Sequence, residues 1–246
     1  MKKQGLAVIM GLLVLLSMTA MATTGRYDQQ IQQTVSQKLG DAKQLQSVSS
    51  SVEDGIVTLT GNVNLYQDKL DAAKKVKKLA NVTGVRNDIA VAGESVPDGQ
   101  LQQKLAKKVA YDRVGYYDNA FNYLALDVKD GVVTLSGDTL NDVAKDSALA
   151  IVARTPGVKD VENEVKELPV STFDDSIRLR TARAIYRDSV LSRYASDPVH
   201  PIRIVVDGGH VTLYGSVENK MDKTIAGIRA SSVPGAFSVE NKLTVD

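Results

Sequence analysis

The chain has 246 residues, with 30 Lys and Arg against 29 Asp and Glu, 12 aromatics and no Cys. Without a thiol there can be no disulfide, thiolate zinc site, iron-sulfur cluster, cysteine nucleophile or lipoprotein anchor. The near-neutral balance lacks the broad positive field that holds a phosphate backbone, which argues against nucleic acid as a partner, and 43% hydrophobic with 5% aromatic content predicts cores of Val, Leu, Ile and Ala.

Lys2 and Lys3 precede an apolar run over residues 6–16, broken only by Gly11, and Ala20-Met21-Ala22 follows. A basic start, a short apolar core and an Ala-x-Ala site predict a signal peptide over residues 1–22, cleaved after Ala22. The apolar run falls well short of the roughly 20 residues a membrane span needs. The mature chain is therefore expected to be soluble in the periplasm, and it needs no oxidative folding.

The rest of the chain repeats itself. Asp54-Gly55-Ile56-Val57-Thr58-Leu59-Thr60-Gly61 returns as Asp130-Gly131-Val132-Val133-Thr134-Leu135-Ser136-Gly137, then as Asp207-Gly208-Gly209-His210-Val211-Thr212-Leu213-Tyr214-Gly215 with one extra Gly. A second marker follows in each copy: Val82-Thr83-Gly84-Val85-Arg86-Asn87, Thr155-Pro156-Gly157-Val158 with Val161-Glu162-Asn163, and Val233-Pro234-Gly235 with Val239-Glu240-Asn241. Fixed self-similarity of this kind is the mark of tandem structural units.

Each unit opens with helical spacing, Ile31, Val35 and Leu39 in copy one and Leu101, Leu105 and Val109 in copy two. Alternating residues (Val48, Ser50, Val52; Leu124, Leu126, Val128; Ile202, Ile204, Val206) predict a strand that turns back through Asp-Gly, the signal of a two-residue hairpin. Gly61, Gly137 and Gly215 close the second strand. A second amphipathic helix follows, with Leu65, Ala72, Val76 and Leu79 on one face in copy one. Gly84, Gly157 and Gly235 then stand where a left-handed helix cap is wanted. Val85, Ile89 and Val91, and in copy three Phe237, Val239, Leu243 and Val245, make a closing strand. The fold class is α+β: three tandem two-layer sandwiches, each α-β-β-α-β with a three-stranded mixed sheet and two helices on one face. Domains are expected at residues 26–93, 98–168 and 173–246, joined by short linkers at residues 92–99 and 168–173.

These residues resemble the BON (bacterial OsmY and nodulation) domain, whose pattern is a Gly-x-Val-x-Leu-x-Gly strand, an Ala-rich helix, and Gly-Val followed by Val-x-Asn-x-Leu. Copy one carries Arg86 where the pattern has Val before Asn. Copy three departs at Gly209-His210 and at Ala236-Phe237. The resemblance implies a periplasmic or envelope-associated protein of osmotic and envelope stress that binds phospholipid membranes, and it implies no catalytic residue.

The residues themselves carry no G-x-S-x-G, H-E-x-x-H, P-loop or G-x-G-x-x-G motif, so no enzyme, cofactor or metal is expected. His200 and His210 flank one hairpin, yet two imidazoles rarely suffice for a metal, and they read as ordinary hairpin polar residues. Between first helix and hairpin, copy two gathers Tyr111, Tyr116, Tyr117, Phe121 and Tyr123, a cluster that suits its own small core, a membrane interface or a protein contact. Tyr194 sits in the equivalent segment of copy three. Arg180, Arg183 and Arg187 recur at helical spacing away from Ile185 and Ala182, and Lys74, Lys75, Lys77 and Lys78 face away from Val76. Each basic face is either plain solvated surface or a contact for anionic lipid. The lipid-binding candidates are Arg180, Arg183, Arg187, Tyr194, Tyr116 and Tyr117. The expected function is maintenance of the envelope through anionic phospholipid; the alternative is a protein-interaction module, a chaperone or adaptor for envelope proteins.

Overall fold

The structure, a computed structural model, describes residues 21–112, 116, 119–195, 197 and 202–246, with side chains from Tyr27 onward. The leader over residues 1–20, Tyr117 and His200 lie outside the described residues. The described residues up to Gly93 form one compact unit and those from Glu94 onward a second. The first holds copy one, and the second holds copies two and three.

Copy one runs α1 (Met21–Gly40), β1 (Val48–Glu53), β2 (Ile56–Val63), α2 (Tyr66–Lys77), β3 (Gly84–Asn87) and β4 (Ala90–Val91). Copy two runs α3 (Asp98–Tyr111), β5 (Tyr123–Lys129), β6 (Val132–Thr139), α4 (Asp142–Ala153) and β7 (Asp160–Glu167). Copy three runs α5 (Thr172–Tyr186), β8 (Arg203–Asp207), β9 (His210–Tyr214), β10 (Ser216–Val217), α6 (Lys220–Ser231), β11 (Ser238–Asn241) and β12 (Thr244–Val245). In each copy the second strand is central, antiparallel to the first and parallel to the closing one. This is the expected α-β-β-α-β sandwich with a mixed sheet, three times over.

The hairpins turn on two residues of positive φ: Asp54 and Gly55 at 52° and 77°, Asp130 and Gly131 at 54° and 81°, Gly208 and Gly209 at 58° and 81°. That is the type I′ geometry whose twist matches the strands. In copy three Asp207 pairs with His210, so Gly208 occupies the place of Asp54 and Asp130 and no residue is inserted. Gly61, at φ +110°, lies so close to β1 that a Cβ would meet the Ser47 carbonyl oxygen at 2.1 Å.

The second marker falls differently in copy one. Gly157 and Gly235 take left-handed conformations at φ 100° and 94°, but Gly84 does not; Asn81, at φ 65°, occupies that position. The amides of Thr83, Lys159 and Phe237 donate to the carbonyls of Gly55, Gly131 and Gly209, which aligns Asn81 with Gly157 and Gly235. Gly84 instead opens β3, opposite Ile56. In this register Val85-Arg86-Asn87 matches Val161-Glu162-Asn163 and Val239-Glu240-Asn241, so Arg86 replaces no Val. Asn tolerates the left-handed region because its short polar side chain bonds locally, which hid the marker from a search for Gly.

The core of copy one joins Ile31, Val35, Leu39, Leu45, Val57, Leu59, Ala72, Val76 and Ile89, all nearly or fully buried. Copy three builds its core on Ile177, Ile185, Leu191, Tyr194, Ile202, Ile204, Leu213 and Leu243, and it draws in Phe121 from copy two. Tyr123 of copy two stacks on Tyr214 of copy three, with centroids 3.8 Å apart and planes 6° from parallel. The Arg203 guanidinium donates to the Asn119 carbonyl, and Lys166 pairs with Asp207 at 2.7 Å. The aromatic insertion of copy two thus spends Phe121 and Tyr123 on the neighbouring copy rather than on its own sheet.

Candidate membrane-contact surface

α5 begins at Ser171, whose Oγ accepts from the Asp174 amide at 3.2 Å. Its core face carries Ile177, Thr181 and Ile185, all at 0% exposure. At 100° per residue, Phe173, Ser176, Arg180, Arg183 and Arg187 fall within an arc of about 80° on another face. The stripe read from the sequence therefore extends to the start of the helix and ends there in an aromatic ring.

All three arginines are exposed. The arginines that pair with described carboxylates are Arg178, Arg193 and Arg229, so among the described residues Arg180, Arg183 and Arg187 have no carboxylate partner. Arg180 is held in place without being neutralised. Its Nη1 donates to the Pro234 carbonyl at 2.7 Å, its Nη2 to Ser176 Oγ at 2.6 Å and its Nε to the Ser176 carbonyl at 3.1 Å.

Beside it lies an apolar patch that the sequence reading missed. Phe173 is 45% exposed and Phe237 70% exposed, with ring centroids 5.7 Å apart. The His210 ring meets Phe237 edge-on at 6.0 Å, and its Nδ1 lies 2.7 Å from Ser238 Oγ. Phe237 lies over the hairpin: a Cβ on Gly209 would meet its ring at 2.7 Å and the Phe173 ring at 3.1 Å. With no residue inserted, Gly209-His210-Val211 keeps the Gly-x-Val pattern, and the departure of copy three at Ala236-Phe237 is what lays an aromatic ring over its hairpin. Only three Phe occur in the chain. Two of them stand at corresponding margins of one copy, and that was the available signal.

Tyr194 is not part of any such surface. It is 2% exposed; its hydroxyl donates to Asp222 at 2.6 Å and accepts from the Glu218 amide at 2.9 Å. Burial, and next its bond to Asp222, push its pKa above the ordinary phenol value. A side chain so committed is core, and it drops out of the lipid candidates. Tyr116 is 62% exposed, in copy two. Lys74, Lys75, Lys77 and Lys78 are exposed on the last turn of α2 and just beyond it. Among the described residues no group of three or more His, Asp or Glu could hold a metal ion, and no helix is long and apolar enough to cross a membrane.

A family model described as the BON domain matches residues 27–93, 97–169 and 183–246, most of the chain. The chain belongs to the BON-domain family. It is similar to the osmotically-inducible protein Y of Escherichia coli (strain K12), 28% identical over 130 residues, an alignment that covers 48% of this chain and 61% of that protein. Among solved structures, CdsD, a structural protein of the type III secretion system of Chlamydia trachomatis, aligns at 14% identity over 90% of this chain and 91% of its own, with a TM-score of 0.25. The periplasmic domain of the inner-membrane protein PrgH from S. typhimurium aligns at 9% identity over 78% and 93%, with a TM-score of 0.22. Overlap that low adds nothing to the family assignment.

Proposed function

We propose that this is a non-enzymatic periplasmic protein that maintains the envelope under osmotic stress, and that its third copy rests on anionic phospholipid. The relative named for osmotic induction supports the stress role. The observation that carries the lipid contact is the pairing, on one side of copy three, of two exposed Phe rings with three arginines that no described carboxylate neutralises. Apolar rings enter the headgroup boundary while cations meet anionic lipid, the arrangement interfacial helices use. Each basic residue near such a surface contributes about 1 kcal/mol, so losing three weakens binding by on the order of a hundredfold.

Co-sedimentation with phosphatidylglycerol vesicles, against phosphatidylcholine alone, tests this. Changing Arg180, Arg183 and Arg187 together to Gln is expected to abolish most anionic binding, and Phe173→Ser with Phe237→Ser to weaken what remains at high salt. The same change at Lys74, Lys75, Lys77 and Lys78 is expected to have little effect. Loss in the lysine variant alone would move the contact to copy one, and wild-type protein that ignores anionic vesicles would end the lipid reading.

A further inference from the structure

α6 starts at Asn219, whose Oδ1 accepts from the Asp222 amide at 2.9 Å. Its inner face carries Asp222, Ala226 and Ala230, all buried, and Asn241 ties it to the sheet by donating to the Lys223 carbonyl at 2.7 Å. The outer face is apolar. Met221, Ile225 and Ile228 fall within an arc of about 60° at 100° per residue, away from the buried positions. Met221 is 69% and Ile228 61% exposed, and Ile225 is half-buried. Counted from the first residue of each helix, the same positions hold Gln67, Asp71 and Lys74 on α2, and Val143, Ser147 and Ala150 on α4. Copy three alone has a large apolar side chain at all three.

Charge sets α6 apart as well. α2 shows solvent Asp68 and Asp71, and α4 shows Asp142 and Asp146. The one carboxylate of α6 is Asp222, which is buried and bound by the Tyr194 hydroxyl and by Arg193. Beside its apolar face α6 carries Lys220, Lys223 and Arg229. The lysines that pair with described carboxylates are Lys145, Lys166 and Lys242, so among the described residues Lys220 and Lys223 have no carboxylate partner. Arg229 pairs with Asp188, just past the end of α5, at 2.8 Å, and Arg180 of α5 reaches the Pro234 carbonyl, just past the end of α6. The two helices therefore lie side by side and antiparallel, with the arginine stripe of α5 on the side next to α6.

We infer that α6 is a membrane-inserting element: Met221, Ile225 and Ile228 enter the boundary between headgroups and acyl chains of an anionic bilayer, beside the α5 arginines that hold the headgroups. The inference rests on the lipid reading above and goes beyond it, because it names a second helix that enters the bilayer and sets copy three with its helix layer on the membrane and its sheet away from it. An apolar face flanked by cations, with no exposed anion, is the composition of a helix that lies in a membrane interface. Lysine at its edge can lay its stem along the apolar surface and keep its ammonium among the headgroups. Exposed Met and Ile gain by leaving water at roughly 25 cal/mol per Å², a contribution that salt does not screen, whereas the arginine contact weakens as salt rises.

The chain has no Cys, so a single introduced thiol carries the only label. Met221→Cys, Ile228→Cys and, as the matching position of copy two, Val143→Cys are each made in the full chain, labelled with an environment-sensitive nitrobenzoxadiazole and mixed with phosphatidylglycerol vesicles. Labels at 221 and 228 are expected to shift to the blue and to be quenched by lipid that carries a nitroxide on its acyl chain, while the label at 143 stays in water. Met221→Ser with Ile228→Ser should weaken vesicle binding at high salt by roughly tenfold. Both side chains are largely exposed, so the melting temperature should hold, and the labels give a readout that does not depend on that double variant. Labels at 221 and 228 that stay in water while the wild type sediments with vesicles would overturn the insertion and leave the arginine contact standing; the apolar face would then serve a protein. A serine variant with full vesicle affinity at high salt would overturn it too. Wild-type protein that ignores phosphatidylglycerol would end both readings.

Discussion

Asp28, Asp98 and Asp174 each reach from the first helix to the hairpin of their own copy. Their carboxylates accept from both turn amides, at 3.0 and 2.9 Å in copy one, 2.7 and 3.0 Å in copy two, and 3.1 and 2.7 Å in copy three. A type I′ turn points two amides outward with no ladder partner, and an ionised acceptor is the strongest way to satisfy them. Asp174, 3% exposed, is buried, whereas Asp28 and Asp98 are partly exposed. Asp174→Ala is expected to destabilise residues 94–246 by about 2 to 3 kcal/mol, a fall in melting temperature of roughly 5 to 10 °C. An unchanged melt would mean the turn holds itself. The hairpin glycines were legible because positive φ admits few residue types, whereas an Asp at the start of a helix does not reveal by its type that it reaches a hairpin. They recur three residues before Ile31, Leu101 and Ile177, a spacing that lies outside both glycine markers. Asn81 escaped for the same reason, being a left-handed residue that is not Gly.

The elements follow hydrophobic period, so α5 and its basic stripe could be drawn from the sequence, and what could not be drawn was which polar groups the helix buries. Arg178 stands on the same helix, four residues after Asp174 as Gln32 and Gln102 stand after Asp28 and Asp98, yet it is 1% exposed. Its Nη2 donates to the Val206 carbonyl at 2.6 Å and its Nη1 pairs with Asp175 at 2.5 Å, while Nε has no partner. Periodicity assigns such a residue to the core face, but charge argues the reverse, and only packing decides. Tyr186, on the last turn of α5, donates its hydroxyl to the Ile202 carbonyl, and burial pushes its pKa up to about 12. The pKa is raised above the usual value of 10.0, so the folded state holds its proton longer than the unfolded chain does. That contribution is complete below pH 10 and is lost as pH rises towards 12. Alkaline titration by ultraviolet absorbance should show Tyr186 ionising late, beside Tyr194 and Tyr214, whose pKa values burial also raises, and Tyr186→Phe should reduce the late step by one tyrosine. A variant with an unchanged late step would contradict the assignment.

At the scale of the whole molecule the threefold repeat was legible, and its unequal use was not. Repeats that share a fold can diverge wherever a side chain is free to serve a neighbour: Phe121 of copy two joins the core of copy three, and Tyr123 stacks on Tyr214. Copy three gains an extra core residue from this exchange, and it also carries the exposed Phe pair and the arginine stripe. The central claim is that the membrane contact belongs to copy three alone. Hydrogen exchange of the full chain, with and without phosphatidylglycerol vesicles, tests it most directly. Protection is expected in peptides that cover residues 172–187, 208–210 and 234–238, with none in α2 or α3. Protection confined to α2, or spread evenly over all three copies, would contradict the account.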